Sequence, residues 1–225
     1  MRELIAEQRN KGSELQLWTN IMDGDLEYEL VVNGVFIMAT YNRLSSELLV
    51  RHGIKGAVPK EKLKVLIGGL GMGFSVREAC LFPRVDKIDV VEIEPAIASW
   101  NRTYLKDINQ KCLSDPRVHV NIADFFQFVM NTSHKYHIIC MDIDNGPMML
   151  AKESNHRVYR KSFFQRINDI LKPGGVFGVW SCNPDQNLIR EGESVFPQCT
   201  METVWEEHQG RQVPYYLYYY RNGAK

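Results

Sequence analysis

No two cysteines of this chain stand in a C-x-x-C spacing, although there are five of them: Cys80, Cys112, Cys140, Cys182 and Cys199. An odd, scattered set suits a reducing cytoplasm in which thiols act as small core residues. The six histidines show no zinc-ligand spacing, and no metal is expected. No apolar run approaches the ~20 residues of a membrane span. The charged stretch Met1 to Arg9 lacks the apolar core of a secretory leader. Charge of neither sign is in surplus, with 27 Lys and Arg against 27 Asp and Glu. The basic footprint of a nucleic-acid partner is therefore missing. There is no G-x-x-x-x-G-K-[ST] run, which excludes a phosphate-cradling P-loop, and no internal repeat or low-complexity tract.

What is present is ample for a core. The chain has 225 residues, 44% of them hydrophobic and 24% charged. That suits one medium domain with a small appendage. Residues 1 to 12 read as a short amphipathic helix ending at Gly12. Glu14 to Thr19 alternates like a strand, and Asp23-Gly24-Asp25 marks a turn. Glu27 to Val32, Asn33-Gly34 and Val35 to Ala39 read as a hairpin, since Asn-Gly accepts the left-handed turn geometry. This small antiparallel sheet is an edge extension of a larger one, or a lid or dimer surface. Leu44 to Val50 is helical in pattern, and Gly53 to Pro59 reads as a linker. The first unit is thus placed at 1–60 and the second at 61–225.

From Leu63 onward strands and helices alternate. Strands are expected at Val65–Ile67, Ile88–Ile93, Val118–Ile122, His137–Met141 and Val176–Trp180, with a closing strand at Val213–Tyr220. Helices are expected at Ala96–Leu105, Phe125–Met130 and Ser162–Leu171, the last ended by Lys172-Pro173-Gly174-Gly175. Repeated strand–helix units predict an α/β fold with a doubly wound, mostly parallel sheet covered on both faces. In such sheets ligands sit at the carboxyl ends of the strands.

The strand ends carry the chemistry. The first runs into Gly68-Gly69-Leu70-Gly71-Met72-Gly73 and then into a helix. Glycine there lets a ligand approach the backbone, and the helix start adds unpaired N–H groups. The second strand ends near Glu92, about 20 residues on, the usual offset for a carboxylate that accepts from ribose hydroxyls. Asp124 follows the third strand, before Phe125; it meets an adenine amino group, caps the helix, or both. The fourth ends in Asp142-Ile143-Asp144-Asn145-Gly146-Pro147. Two carboxylates and an amide clustered there are costly to bury without partners and mark the reaction centre. Tyr159 is a candidate to cover a cation with its ring, against the alternative of helix-start packing. Trp180, Ser181, Trp18 and Tyr41 are further candidates for lining, each more often core than site.

Phe74 departs from the dinucleotide fingerprint, and G-x-G-x-G followed by a strand-end acid resembles the S-adenosylmethionine-dependent methyltransferase fold. More narrowly, the chain resembles the polyamine aminopropyltransferase (spermidine synthase) family. Val65-Leu66-Ile67-Gly68-Gly69, Val91-Glu92-Ile93-Glu94, Asp115-Pro116-Arg117-Val118 with Ala123-Asp124, and Leu171-Lys172-Pro173-Gly174-Gly175 match it in order and spacing. The resemblance implies a seven-stranded Rossmann-like sheet with an N-terminal β-hairpin domain. It implies a transferase acting on small molecules, with S-adenosyl-L-methionine as substrate; the cysteines suit the cytoplasm, and the hairpin edges offer pairing with a second chain as a homodimer. Gly69, Gly71, Gly73, Glu92, Ile93, Asp124, Phe125 and Asp142 would bind it, and Asp142, Asn145 and Tyr159 would serve catalysis. An amine attacks the three-carbon arm, by transfer or ring closure, and methylthioadenosine leaves. Methyl transfer and non-catalytic nucleoside binding are the alternatives.

Three positions depart from the family pattern. Gly71 replaces an aspartate of the glycine turn, Asn145 replaces the second aspartate of the catalytic loop, and Ser45-Ser46 replaces Tyr-His, with Glu47 retained. The missing acid at Gly71 predicts a cofactor that keeps its carboxylate.

Overall fold

The computed structural model describes residues 2–10, 12–22, 24–58, 62–208 and 210–223. Chain order begins with strands β1 (Arg2–Asn10), β2 (Ser13–Met22), β3 (Asp25–Val32) and β4 (Val35–Ala39), which form an antiparallel four-stranded sheet in that spatial order. The Asn33-Gly34 turn joins β3 to β4 with both residues at positive φ, as its composition predicts.

The helix expected over residues 1 to 12 is instead β1. Its apolar residues, Leu4, Ile5 and Ala6, are contiguous, which hides the strand period. The ladder with β2 explains this: its register shifts between Leu4 and Ala6, so a bulge breaks the alternation. Pairing overrides the helical propensity of the segment. Arg2 sits 4.5 Å over the Trp18 ring and pairs with Glu29, which ties this charged edge strand to the sheet.

Next come α1 (Leu44–Gly56), β5 (Leu63–Gly68), α2 (Phe74–Cys80), β6 (Val85–Glu92), α3 (Pro95–Arg102), β7 (Val118–Ile122), α4 (Phe125–Asn131) and β8 (Tyr136–Met141). The chain finishes with α5 (Lys161–Ile170), β9 (Leu171–Ser181), α6 (Gln186–Glu193), β10 (Gln198–His208) and β11 (Arg211–Arg221). The second sheet has the order β10-β11-β9-β8-β5-β6-β7. β7, β6, β5, β8 and β9 are parallel, while β11 runs antiparallel to both of its neighbours. The order reverses between β5 and β8, and that crevice is where such folds bind ligands.

Several boundaries differ from the sequence reading. The expected linker from Gly53 is partly the last turn of α1, which packs on β8 so closely that a Cβ on Gly53 would lie 3.1 Å from Ile138 Cγ2. The division placed at residue 60 lies outside the described residues. Lys172-Pro173-Gly174-Gly175 does end the helix, yet it already belongs to β9, whose pairing with β8 shifts register there. α6 and the edge strand β10 had no counterpart in the strand and helix positions read from the sequence.

Two apolar layers cover the parallel sheet. One joins α1, α2 and α3 to the inner face of the N-terminal sheet through Leu15, Leu17, Leu49, Ile67 and Phe74, all nearly or fully buried. The other packs α4, α5 and α6 through Phe163, Phe164, Phe177 and Tyr220. These layers fix the strand ends on which the site is built. No described helix is long and apolar enough to cross a membrane.

Candidate active site

β5 is buried and ends at the glycine turn, where Gly69 and Gly71 take φ of +89° and +51°. A Cβ on Gly69 would lie 2.0 Å from the Asp142 carbonyl oxygen, so only glycine lets the turn pass the end of β8. A Cβ on Gly71 would lie 2.5 Å from Met38 Sδ. That sulfur also accepts the Met72 N–H at 3.2 Å. The N-terminal sheet thus lays a thioether across the glycine turn. Gly73, by contrast, sits at the start of α2 against Asn101 and Asn109, away from the cavity that the turn opens onto.

That cavity lies at the carboxyl ends of β5, β6, β7 and β8 and is closed on one side by the N-terminal sheet. Glu92 is buried at the end of β6. Its two carboxylate oxygens accept the backbone N–H of Leu70 at 3.0 Å and of Glu94 at 2.8 Å. Burial raises its pKa, and the backbone amides of Glu94, Leu70 and Ile93 oppose that shift. The acid therefore holds the glycine turn in place while facing the ligand space. Glu94 accepts from Ser13 and from Lys152 Nζ, the latter at 2.8 Å. Ile93 and Phe125 also line the cavity. Asp124 caps α4 through the Gln127 N–H at 2.9 Å and pairs with Arg157, which stacks on Phe126.

The β8 end brings Asp142 and Asp144 to the same space. Their situations differ. Asp144 accepts from the Ala151 N–H, from Asn155 Nδ2 and from the Tyr159 hydroxyl. Asp142 accepts one side-chain bond, from Ser46 Oγ at 2.9 Å. Loss of hydration pushes its pKa up to about 6, with Ser46 pulling the other way. A carboxylate titrating there is poised to take a proton near neutral pH. Asn145 Nδ2 donates to the Phe36 carbonyl at 3.0 Å, which leaves its amide oxygen available to accept.

The sequence candidates therefore separate. Gly69, Gly71, Glu92, Ile93, Asp124, Phe125, Asp142 and Asn145 line one cavity. Tyr159 does not line it; its hydroxyl donates to Asp144, which favours its packing role over a ring laid on a cation. Trp18 and Tyr41 lie outside as well, Trp18 under Arg2 and Tyr41 stacked on His208 at 3.6 Å. Trp180 lines the cavity, with Nε1 donating to Ser45 Oγ at 3.0 Å. Ser181 does not; its Oγ donates to the Asn183 carbonyl. The sequence reading passed over Met38, Asn42, Lys152 and Asn155. Among them only Lys152 had a local signal, as a cation ten residues after a cluster of strand-end acids. No group of three or more His, Cys, Asp or Glu side chains that could hold a metal ion occurs among the described residues.

Comparison with known proteins gives a consistent picture. The family described as spermine/spermidine synthase domain matches residues 45–205. A polyamine aminopropyltransferase of Saccharolobus islandicus is 28% identical over 160 residues, covering 71% of this chain and 52% of that protein. One from Shouchella clausii is 26% identical over 181 residues, covering 78% and 63%. The chain thus spans about half to three-fifths of the length of these curated relatives. Among solved structures, a spermidine synthase in complex with the transition-state analogue AdoDATO aligns with a TM-score of 0.82 at 20% identity, covering 99% of this chain and 74% of that one. Spermidine synthase from Thermotoga maritima aligns with a TM-score of 0.79 at 19% identity, covering 99% and 73%. At such identity the structural likeness establishes the fold. With the family match running over most of the chain, from α1 into β10, this protein belongs to the spermine/spermidine synthase family.

Proposed function

We propose that the chain is a transferase acting on an adenosyl sulfonium compound, in which an amine attacks the three-carbon arm and methylthioadenosine leaves. The observation that carries the reading is Asp142, a cavity-facing carboxylate with one side-chain partner, beside the glycine turn. Glu92 is the residue for the ribose hydroxyls, and Ile93 and Phe125 flank the base. The sulfonium is a good leaving group, so the protein's task is placement and proton removal. The amine lone pair forms the new C–N bond as the C–S bond breaks. The bonding pair stays on sulfur, and the nitrogen's proton passes to Asp142. Asn145 Oδ1 accepts from the attacking nitrogen without adding charge.

The form of the donor follows from the lining. Among the described residues, the cation lining the cavity is Lys152, and Glu94 holds it. A carboxylate on the arm would find no cationic partner, which supports decarboxylated S-adenosylmethionine over the carboxylate-bearing form expected from Gly71. The five cysteines are free, which supports a reducing cytoplasm. The open edges of the four-stranded sheet support a homodimer.

The test is to incubate pure protein with each form of the sulfonium, with and without amines, and to identify the nucleoside by mass. Methylthioadenosine is expected. S-adenosylhomocysteine alone would establish methyl transfer instead, and tight binding with no turnover would establish a nucleoside-binding module.

A further inference from the structure

Five carboxylates line the cavity: Glu92, Glu94, Asp124, Asp142 and Asp144. Four are already committed. Glu92 accepts two backbone amides, Glu94 pairs with Lys152, Asp124 pairs with Arg157 and caps α4, and Asp144 accepts three bonds. Glu92 and Asp144 accept only from neutral donors and keep their charge for the ribose and for the donor's own ammonium, which leaves Asp142 for the attacking nitrogen. One wall of the cavity, supplied by the N-terminal sheet, contributes Leu30, Val32, Ile37 and Met38. None of these can pair with a cation. Two acids of β3 do not line the cavity: Glu27 accepts from the Thr40 hydroxyl and Glu29 pairs with Arg2.

A diamine that attacks with one nitrogen keeps the other protonated. Seated on this wall, that second ammonium would rest on aliphatic carbon that offers it no acceptor, and burying an unpaired charge is expensive. An apolar body on the same wall gains by burial instead. We propose that the acceptor is an amine with a single nitrogen and an uncharged, apolar body, received at Asp142 and seated against Leu30, Val32, Ile37 and Met38. The inference rests on the transfer reading above and names its substrate class. Met38 is central to it. Its sulfur occupies the space of any side chain at position 71, so the cavity is sealed with a thioether where a second acid would otherwise reach in.

The experiment offers decarboxylated S-adenosylmethionine with butylamine, hexylamine and phenethylamine, against 1,4-diaminobutane and 1,6-diaminohexane. Methylthioadenosine release gives kcat/KM for each. The monoamines are expected to exceed diamines of equal length by roughly tenfold or more. Equal or better turnover of the diamines overturns the proposal and leaves the transfer reading standing. No methylthioadenosine from any amine overturns the transfer reading, and the acceptor proposal with it. A carboxylate placed on the wall, as Val32→Asp or separately Ile37→Asp, is expected to narrow or invert the monoamine preference in whichever variant melts cooperatively. An unmoved ratio in both folded variants shows that the wall does not select the acceptor.

Discussion

Ser46 Oγ donates to Asp142 Oδ2 at 2.9 Å, joining α1 to the end of β8. This bond favours the ionised carboxylate, while burial disfavours it and sets the pKa at about 6. As the proposed base in amine attack, Asp142 must be ionised, so kcat/KM is expected to fall as pH drops through about 6. Ser46→Ala removes the favourable bond and raises the pKa further. A hydrogen bond of ~1 kcal/mol corresponds to an upward move of the acidic limb by ~0.5–1 pH unit. A limb unmoved in this variant would mean that another group titrates.

The same shift makes Asp142 costly to the fold. Its pKa rises from 3.8 unfolded to about 6 folded. The folded state therefore binds the proton more tightly, and stability is lost as pH rises from about 4 to about 6. The penalty at pH 7 is on the order of 2–3 kcal/mol. Asp142→Asn keeps an acceptor for Ser46 without the charge. It is expected to raise the melting temperature at pH 7–8, to leave nucleoside binding largely intact, and to cut turnover at least ~100-fold. At pH 4 the stability gain should vanish. Calorimetry at the two pH values, with a turnover assay, separates these effects.

How far the sequence reached can be judged from individual residues. β5, β6 and β8 were legible because both their faces are buried, which makes their sequences apolar, and because glycine or acid marks their ends. Glu92 and Asp142 were legible for the same reason. β10 was not: Gln198 to His208 is an edge strand that buries Val204 and an acid, Glu206, which accepts the Leu44 and Ser45 amides, so its apolar pattern is too sparse to mark a strand. β1 was lost to a bulge. Met38 was beyond reach, and Lys152 was marked only by its place after the strand-end acids, for a different cause. Met38 meets Met72, 34 residues on, and Lys152 meets Glu94, 58 residues back. Only the packing of the N-terminal sheet and of the segment after β8 brings them to the cavity. Tyr159 illustrates the converse, a well-placed aromatic that the structure spends on Asp144.

Glu92 holds the glycine turn and is proposed to hold the ribose, and its variants should separate the two roles. Glu92→Gln retains one acceptor for Leu70 or Glu94 and loses the charge that ribose hydroxyls donate to. A hydrogen bond to a charged group contributes ~1.5–3 kcal/mol, so the dissociation constant for methylthioadenosine should rise roughly 10- to 100-fold in calorimetric titration. Glu92→Ala additionally frees the glycine turn, since the Leu70 and Glu94 amides lose their partners. It should lower the melting temperature as well. Equal affinity in wild type and Glu92→Gln would remove the ribose role.

The glycine turn offers the sharpest structural test, because two neighbouring glycines are constrained by different things. At Gly69 a Cβ meets the Asp142 backbone oxygen at 2.0 Å, and φ is +89°. The main chain cannot yield cheaply, so Gly69→Ala should cost roughly 3 kcal/mol or more and displace Asp142, abolishing turnover in whatever folds. At Gly71 the φ of +51° lies in the left-handed region, where an L-residue costs ~1–2 kcal/mol. The obstacle there is the Met38 sulfur at 2.5 Å, the far part of a flexible side chain that can swing away. Gly71→Ala should therefore fold, with a loss of ~1–2 kcal/mol. In the double variant Met38→Ala/Gly71→Ala the collision is gone. The two losses should then sum to less than their separate values, with a coupling of ~0.5–1 kcal/mol in a denaturation cycle. Strict additivity would mean that the thioether does not fill the position in solution, and the sealed wall inferred for the acceptor would lose its keystone.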